Sequence, residues 1–185
     1  MKDQNQWIER TGIVMSVFLI LLFLSVSGCT TVETTQSGKD PIWQTTPLTD
    51  VRTGTPFSIA EINDLPLLIQ PFTITCPICM QQQAEISDLY ASGKLQFVMI
   101  GLDIDPNGNE NSLRDYTRNH DYYGFYAHSP PEMTRSLVDQ FGMRVLSPAQ
   151  APLIIVCPDG KATILDPGVK SSEDLLKVLT AGCPE

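Results

Sequence analysis

The residues best suited to chemistry in this sequence are two cysteines, Cys76 and Cys79, with only Pro77 and Ile78 between them. The pair stands where a short apolar run gives way to a helical pattern. A thiol at the N-terminus of a helix meets unpaired N–H groups and the positive end of the helix dipole, which stabilise the reactive thiolate. The spacing predicts disulfide exchange, with Cys76 as the exposed attacking thiol and Cys79 as the buried resolving thiol.

Two other uses of this pair remain open from the sequence. A structural zinc site usually needs a second close pair of ligands, but Cys157 and Cys183 stand apart and neither has a histidine nearby. A purely structural disulfide between residues 76 and 79 is the other alternative, although so short a loop is more typical of redox motifs. We therefore predict neither a metal nor a cofactor.

The elements that must position the pair can be predicted from apolar periodicity. Turn residues at positions 53–56 followed by Phe57-Ser58-Ile59 predict a hairpin. Strands are predicted at 65–72, 95–102, 152–157 and 162–165, and helices at 79–91, 111–120, 132–141 and 171–181. Alternating strands and helices that end in an antiparallel hairpin predict an α/β domain with a mixed central sheet and helices on both faces.

The N-terminal segment carries an apolar run from Ile13 to Leu24, inside a stretch without charged residues between Arg10 and Glu33. Directly after the run, Val26-Ser27-Gly28-Cys29 resembles a bacterial-type lipobox. In that signal the cysteine is lipidated and becomes the first mature residue, so the resemblance implies a lipid on Cys29. An uncleaved transmembrane anchor is the alternative.

Both interpretations of this segment predict the same organisation. Residues 1–29 would be a signal or membrane anchor, residues 30–46 a flexible linker rich in Thr, Ser and Gln, and residues 47–185 the folded domain. We therefore expect a membrane-anchored domain on the extracytoplasmic side. The formal net charge is −9, with no cluster of Lys or Arg, which argues against a nucleic-acid partner.

Two parts of the sequence resemble thioredoxin-like proteins. The run Leu67-Leu68-Ile69, leading through Phe72 into Cys76-Pro77-Ile78-Cys79, resembles the active-site strand and helix of that superfamily. Ala151-Pro152 before an apolar strand, with Pro158-Asp159-Gly160-Lys161 after it, resembles the superfamily's cis-proline strand and hairpin. The upstream hairpin and an inserted strand–helix resemble the membrane-anchored TlpA/ResA branch, and the resemblance covers residues 48 to 182.

The resemblance implies a thioredoxin-like fold with an N-terminal hairpin and an inserted strand–helix. It also implies a membrane-tethered thiol–disulfide oxidoreductase that acts on thiol- or disulfide-bearing client proteins and receives electrons from a membrane donor. Ala151 and Pro152 would bind substrate. A cis peptide at Pro152 would turn the Ala151 main chain towards Cys76, where it can pair with an incoming peptide as an added strand.

Three positions depart from the thioredoxin-like pattern. Thr75 stands where the superfamily usually has Trp. Gln70, six residues before Cys76, stands where thioredoxins carry a buried carboxylate that helps to move protons, so proton transfer here must use water or another group. The dipeptide between the cysteines contains no His or Lys that would favour strongly oxidising behaviour. His120 and His128 lie in polar stretches and are expected to be solvated.

The segment from residue 95 to 142, with Asp103-Ile104-Asp105-Pro106, also resembles the Sco copper proteins. That resemblance implies an alternative function, a Cu(I)-binding metallochaperone that uses Cys76 and Cys79, with Met80 as a further soft ligand. Sco proteins, however, have a CxxxC pair and a distant histidine ahead of the late hairpin. Here the spacing is CxxC and residues 147–152 contain no histidine, so copper delivery is the second choice.

The remaining cysteines, Cys157 and Cys183, are predicted to form a permanent disulfide, with two independent thiols as the alternative. Without Cys29 the number of cysteines is even, as expected in an oxidising compartment. The strand from Pro152 begins near the active-site end in thioredoxin-like proteins, so Cys157 falls at the opposite end. The last helix then runs back and brings Cys183 to that end.

Overall fold

The computed structural model describes residues 40–183. The predictions for the apolar run, for Cys29 and for residues 30–39 of the linker therefore lie outside the described residues. Among residues 40–183, no helix has both the length and the apolar character that a membrane crossing requires.

The segment predicted as linker ends in a short packed helix. Helix α1 (Ile42–Thr45) buries Trp43 completely. The indole Nε1 donates a hydrogen bond to Gln140 Oε1 at 2.7 Å, and the ring packs edge-on against Phe141. The linker prediction rested on polar composition, but one buried indole contributes enough apolar area to anchor a short polar segment. The last residues of the predicted linker, Ile42–Thr45, are therefore a packed helix.

The predicted N-terminal hairpin is present and leads into the main sheet. Strands β1 (Leu48–Thr49) and β2 (Pro56–Phe57) pair in antiparallel orientation. The remaining elements, in chain order, are β3 (Leu67–Phe72), α2 (Pro77–Ala91), β4 (Val98–Asp103), α3 (Glu110–His120), β5 (Phe125–His128), α4 (Pro131–Phe141), β6 (Ile154–Val156), β7 (Ala162–Ile164) and α5 (Ser172–Gly182). Short 3-10 turns occupy residues 59–61, 143–146 and 148–150.

Within the described part of the chain, five strands form the central sheet in the order β5-β4-β3-β6-β7. Strands β3, β4 and β5 are parallel, whereas β6 is antiparallel to both β3 and β7. All six residues of β3 are buried, because the strand is covered on both faces. The predicted mixed α/β sheet is confirmed.

Helices cover both faces of this sheet. On one face, α1 and α4 pack over a core that includes Trp43, Ile69, Ile100, Leu102, Met133 and Leu137. On the other face, α2 and α5 pack over a core that includes Leu68, Ile86, Leu89, Met99, Leu175 and Leu179. The hydroxyl of Ser171 caps α5 by accepting the Asp174 N–H at 3.2 Å, at the predicted helix start.

Strand β5 is an element that apolar periodicity did not predict. It pairs in parallel with β4, from Ile100 opposite Phe125 to Asp103 opposite His128. The chain enters the strand through Gly124, whose φ is 113° and where a Cβ atom would lie 2.5 Å from the Met99 carbonyl oxygen. A glycine is needed at this approach because any side chain would collide with the β4 backbone.

Candidate active site

The cysteine pair lies directly after the carboxyl end of β3, at the start of α2. After Phe72 the chain turns, and the Cys76 N–H donates to the Thr73 carbonyl at 3.1 Å. Cys76 is the N-cap residue of α2, and Pro77 occupies the first turn, where its missing N–H needs no partner. Cys76 and Cys79 form a disulfide with their Cα atoms 5.3 Å apart.

The two cysteines are both largely buried but differ in their hydrogen bonds. Cys76 is 9% exposed, whereas Cys79 is 0% exposed. The Cys79 N–H donates to Cys76 Sγ at 3.2 Å, so the sulfur takes the place of the oxygen acceptor in an ordinary N-cap. After reduction, this N–H and the helix N-terminus would stabilise a thiolate on Cys76.

The loop that precedes β6 contacts Cys79. The 3-10 turn Pro148–Gln150 places the Pro148 carbonyl oxygen 3.4 Å from Cys79 Sγ. In the reduced protein this carbonyl can accept the Cys79 S–H.

The predicted cis-proline in this loop is wrong. Every peptide bond among residues 40–183 is trans, including Ala151–Pro152. The chain reverses by another route: Ala151 adopts φ 48° and ψ 56°, and its N–H donates to the Pro148 carbonyl at 2.8 Å. Because Ala151 makes the turn, Pro152 has the ordinary role of a proline that shortly precedes a strand, here β6. In this conformation the Ala151 N–H is occupied and does not face an incoming strand.

Gln70 lies behind the pair on β3. It is fully buried, and its Nε2 donates to the Cys79 carbonyl oxygen at 3.4 Å. The position that carries a carboxylate in thioredoxins therefore touches the backbone of the resolving cysteine here, but as a neutral amide. An amide does not take up a proton near neutral pH, so the proton of Cys79 must leave by another route.

A buried aspartate and a partly exposed histidine form a pair further along the same edge of the sheet. Asp103 ends β4, and its Oδ2 lies 3.4 Å from His128 Nδ1 at the end of β5. The sequence predicts that both histidines are solvated: His120 is exposed, whereas the His128 side chain is 30% exposed and its ring lies beside this buried carboxyl. Burial raises the pKa of Asp103, although the Asp105 N–H and His128 act in the opposite direction. The sequence did carry one sign of this pair, because Asp103 is a charged residue at the end of an otherwise apolar strand.

No described contact favours the copper alternative over disulfide exchange. Within residues 40–183, no three His, Cys, Asp or Glu side chains form a group that could hold a metal ion. Met80 is partly buried and packs against the apolar cluster that contains Cys76 and Cys79.

Cys157 and Cys183 are joined by a second disulfide, with a Cα separation of 5.3 Å. Cys157 follows β6, whose last residue, Val156, pairs with Leu67 at the start of β3. The active-site pair follows the other end of β3. The two disulfides therefore lie at opposite edges of the central sheet, meaning beyond the two ends of β3 rather than beside its outermost strands.

No protein-family model and no curated protein sequence matches this chain. Its fold, in contrast, has many solved counterparts. A secreted disulfide oxidoreductase of Mycobacterium tuberculosis, homologous to DsbE of E. coli, shares 16% identity and superposes with a TM-score of 0.55 over 75% of this chain and 96% of its own. The exposed lipoprotein thioredoxin of Streptococcus pneumoniae shares 14% identity, with a TM-score of 0.59 over 73% of this chain and 97% of its own.

A thiol:disulfide interchange protein of the thioredoxin family from Chlorobium tepidum shares 18% identity, with a TM-score of 0.53 over 73% of this chain and 92% of its own. These structural neighbours are thioredoxin-like proteins, and those named by activity carry out thiol–disulfide chemistry. The chain therefore has the thioredoxin-like fold, and the resemblance in its sequence is confirmed at the level of the fold.

Proposed function

We propose that this protein is a thiol–disulfide oxidoreductase that exchanges disulfides with protein substrates through Cys76 and Cys79. The observation that carries the proposal is the asymmetry of the pair at the first turn of α2. Cys76 keeps a small exposed fraction of 9% and its sulfur accepts a backbone N–H, whereas Cys79 is fully buried. That arrangement supports one thiol for attack and a second for resolution.

The proposed reaction conserves electrons and protons. The Cys76 thiolate attacks one sulfur of a client disulfide, and the other client sulfur leaves as a thiolate. Cys79 then loses its proton and attacks Cys76 Sγ, which breaks the bond between Cys76 and the client. The client gains two electrons and two protons, and the Cys76–Cys79 disulfide is restored. A dithiol donor at the membrane would return the pair to its reduced form.

We also propose that residues 1–29 tether the domain outside the cytoplasmic membrane, with a lipid on Cys29. The apolar run from Ile13 to Leu24 and the small residues before Cys29 support this location. One structural neighbour is itself an exposed lipoprotein and another is secreted. Mass spectrometry of the native protein should find a lipid on an N-terminal Cys29 and none in Cys29→Ser. An unmodified, uncleaved N-terminus would instead favour a transmembrane anchor.

The proposed activity can be tested by insulin reduction with the full chain in detergent and dithiothreitol as the reductant. The wild type should accelerate insulin precipitation, whereas Cys76→Ser and Cys79→Ser should reduce the rate to that of dithiothreitol alone. Cys157→Ser with Cys183→Ser is the matched control, because it removes two cysteines at the far edge of the sheet. Turnover that survives Cys76→Ser would refute the proposal.

A further inference from the structure

Three buried polar atoms around Cys79 find no hydrogen-bond partner among residues 40–183. They are Gln70 Oε1, Gln83 Nε2 and Tyr126 Oη. All three residues are buried: Gln70 and Tyr126 are 0% exposed and Gln83 is 1% exposed. Leaving a buried polar atom unsatisfied costs about 1–3 kcal/mol, so a group of three calls for a physical explanation.

The sheet places two of these residues side by side. Gln70 on β3 is in register with Gly101 on β4, and Gly101 is in register with Tyr126 on β5. Residues in register on neighbouring strands point to the same face of a sheet. A Cβ atom on Gly101 would lie 2.5 Å from Tyr126 Cε1, so the tyrosine ring lies over this glycine. The ring also packs against Phe72 on β3. Tyr126 therefore crosses β4 and extends towards the strand that carries Gln70.

The third residue comes from the helix above. Gln83 lies one turn after Cys79 on α2, and in an α-helix its N–H bonds to the carbonyl that also accepts Gln70 Nε2. The Gln83 Oε1 accepts the Tyr116 hydroxyl at 2.6 Å. The pKa of Tyr126 is raised first by burial and then by the nearby Tyr116 hydroxyl. Tyr116 and Tyr126 also belong to the apolar cluster that contains Cys79, so both glutamines and both tyrosines lie close to this cysteine.

The three unsatisfied atoms are chemically complementary: one is an acceptor, one is a donor, and the hydroxyl is both. A single water molecule can donate to Gln70, accept from Gln83 and bond to Tyr126, and buried waters typically make about three such bonds. We propose that these three residues bind one buried water beside Cys79 and that this water receives the proton of the resolving thiol. The second part of the proposal rests on the proposed oxidoreductase function.

The proton step completes the resolving half of the reaction. The Cys79 S–H bond breaks, its proton passes to the water and on to solvent, and the thiolate attacks Cys76 Sγ. The bond between Cys76 and the client breaks, and the client thiolate takes up a proton from solvent. The Pro148 carbonyl and the Gln70 amide touch Cys79, but neither takes up a proton near neutral pH. The water supplies the acceptor that a carboxylate provides in thioredoxins.

A two-step reaction with an aromatic disulfide, 5,5′-dithiobis(2-nitrobenzoate), can test this role in the reduced full chain. Attack by Cys76 releases one coloured thiolate, and resolution by Cys79 releases the second. Tyr126→Phe keeps the ring over Gly101 and removes only the hydroxyl. We expect the second release to slow about tenfold near pH 6 and to approach the wild-type rate at strongly alkaline pH, because a thiol that is already ionised needs no proton acceptor.

Tyr123→Phe is the matched control, because its hydroxyl bonds to the Phe97 carbonyl, in the core between α2 and α5 rather than around the cysteine pair. If Tyr126→Phe slowed the second release by the same factor at every pH, or did not slow it at all, the role in proton transfer would be overturned. A wild type without a second release would instead refute the resolving role of Cys79. A high-resolution crystal structure should show a water within about 3 Å of all three atoms, and a dry pocket would overturn the binding site itself.

Discussion

At the scale of single residues, the two sulfurs of the pair contact backbone groups of opposite character. Cys76 Sγ accepts an N–H, which stabilises a negative charge, whereas Cys79 Sγ faces a carbonyl oxygen, which stabilises a protonated thiol. Both contacts are built into the fold, one by the first turn of α2 and the other by the loop at Pro148. The backbone alone therefore favours a thiolate on Cys76 and a thiol on Cys79.

This asymmetry predicts which variant traps clients. Cys79→Ser keeps the attacking thiol and its N–H donor but lacks the group that resolves the mixed disulfide. We expect it to accumulate covalent adducts with client proteins, visible on non-reducing gels and lost on reduction. Cys76→Ser should accumulate none. Equal trapping by the two variants would contradict the assigned roles.

A second residue-scale prediction concerns Asp103 and pH. Burial raises the pKa of this carboxyl in the folded protein above its unfolded value, despite the opposing effects of the Asp105 N–H and His128. The associated stability is fully present below the unfolded pKa, about 3.9, and is lost as pH rises through the folded pKa. Asp103→Asn cannot ionise, so it should lack this loss. Its free energy of unfolding relative to wild type should therefore increase with pH.

Urea denaturation of the full chain at several values between about pH 4 and pH 8 can measure this difference. Asp115→Asn is a matched control, because the Asp115 side chain is 73% exposed on α3. A stability difference for Asp103→Asn that does not change with pH would contradict the expected effect of burial.

At the scale of elements, the strands that could be predicted from the sequence are those that bury a continuous apolar run. Strands β3 and β4 are covered on both faces, so their residues are almost all apolar and easy to recognise. Strand β5 has only four residues and ends in a histidine, and α1 has one large anchor in a polar segment. Short elements held by one or two contacts leave little periodicity to detect.

The loop before β6 shows a different limit of sequence reasoning. An Ala-Pro pair ahead of an apolar strand is compatible with either a cis or a trans bond. The left-handed conformation of Ala151 and its bond to Pro148 decide the route of the chain. Both depend on how the 3-10 turn packs against α2, which local sequence does not specify. The cluster of Gln70, Gln83 and Tyr126 likewise depends on sheet register.

The complete burial of Trp43 predicts a large loss of stability when its side chain is removed. Trp43→Ala removes a fully buried indole and its bond to Gln140 and leaves a cavity under α1. We expect the free energy of unfolding to fall by about 3–5 kcal/mol. Ile42→Ala is the control, because its side chain is 57% exposed and should change stability by less than about 0.5 kcal/mol. Similar small losses for both variants, measured by urea denaturation, would restore the linker interpretation of residues 40–46.

At the scale of the whole molecule, the two disulfides lie at opposite ends of the domain. The Cys76–Cys79 pair is at the end proposed to be reactive, and Cys157–Cys183 crosslinks the other end. Strand β3 runs between them, with the active-site pair beyond Phe72 and with Cys157 directly after Val156, the residue that pairs with Leu67. Six residues of strand span about 20 Å. At such a distance the redox state of one pair has no direct contact through which to alter the other.

This separation predicts that the second disulfide contributes to stability but not to turnover. Cys157 and Cys183 are 26 positions apart, and a crosslink over such a loop restricts the unfolded chain by about 3–4 kcal/mol in the chain-entropy model. The double variant Cys157→Ser with Cys183→Ser should therefore unfold at lower urea concentration, with a loss of about that size. Its rate of insulin reduction below the unfolding transition should equal that of the wild type. A slower rate in fully folded protein would show that the far edge of the sheet takes part in exchange, and unchanged stability would show that the bond does not hold the last helix in place.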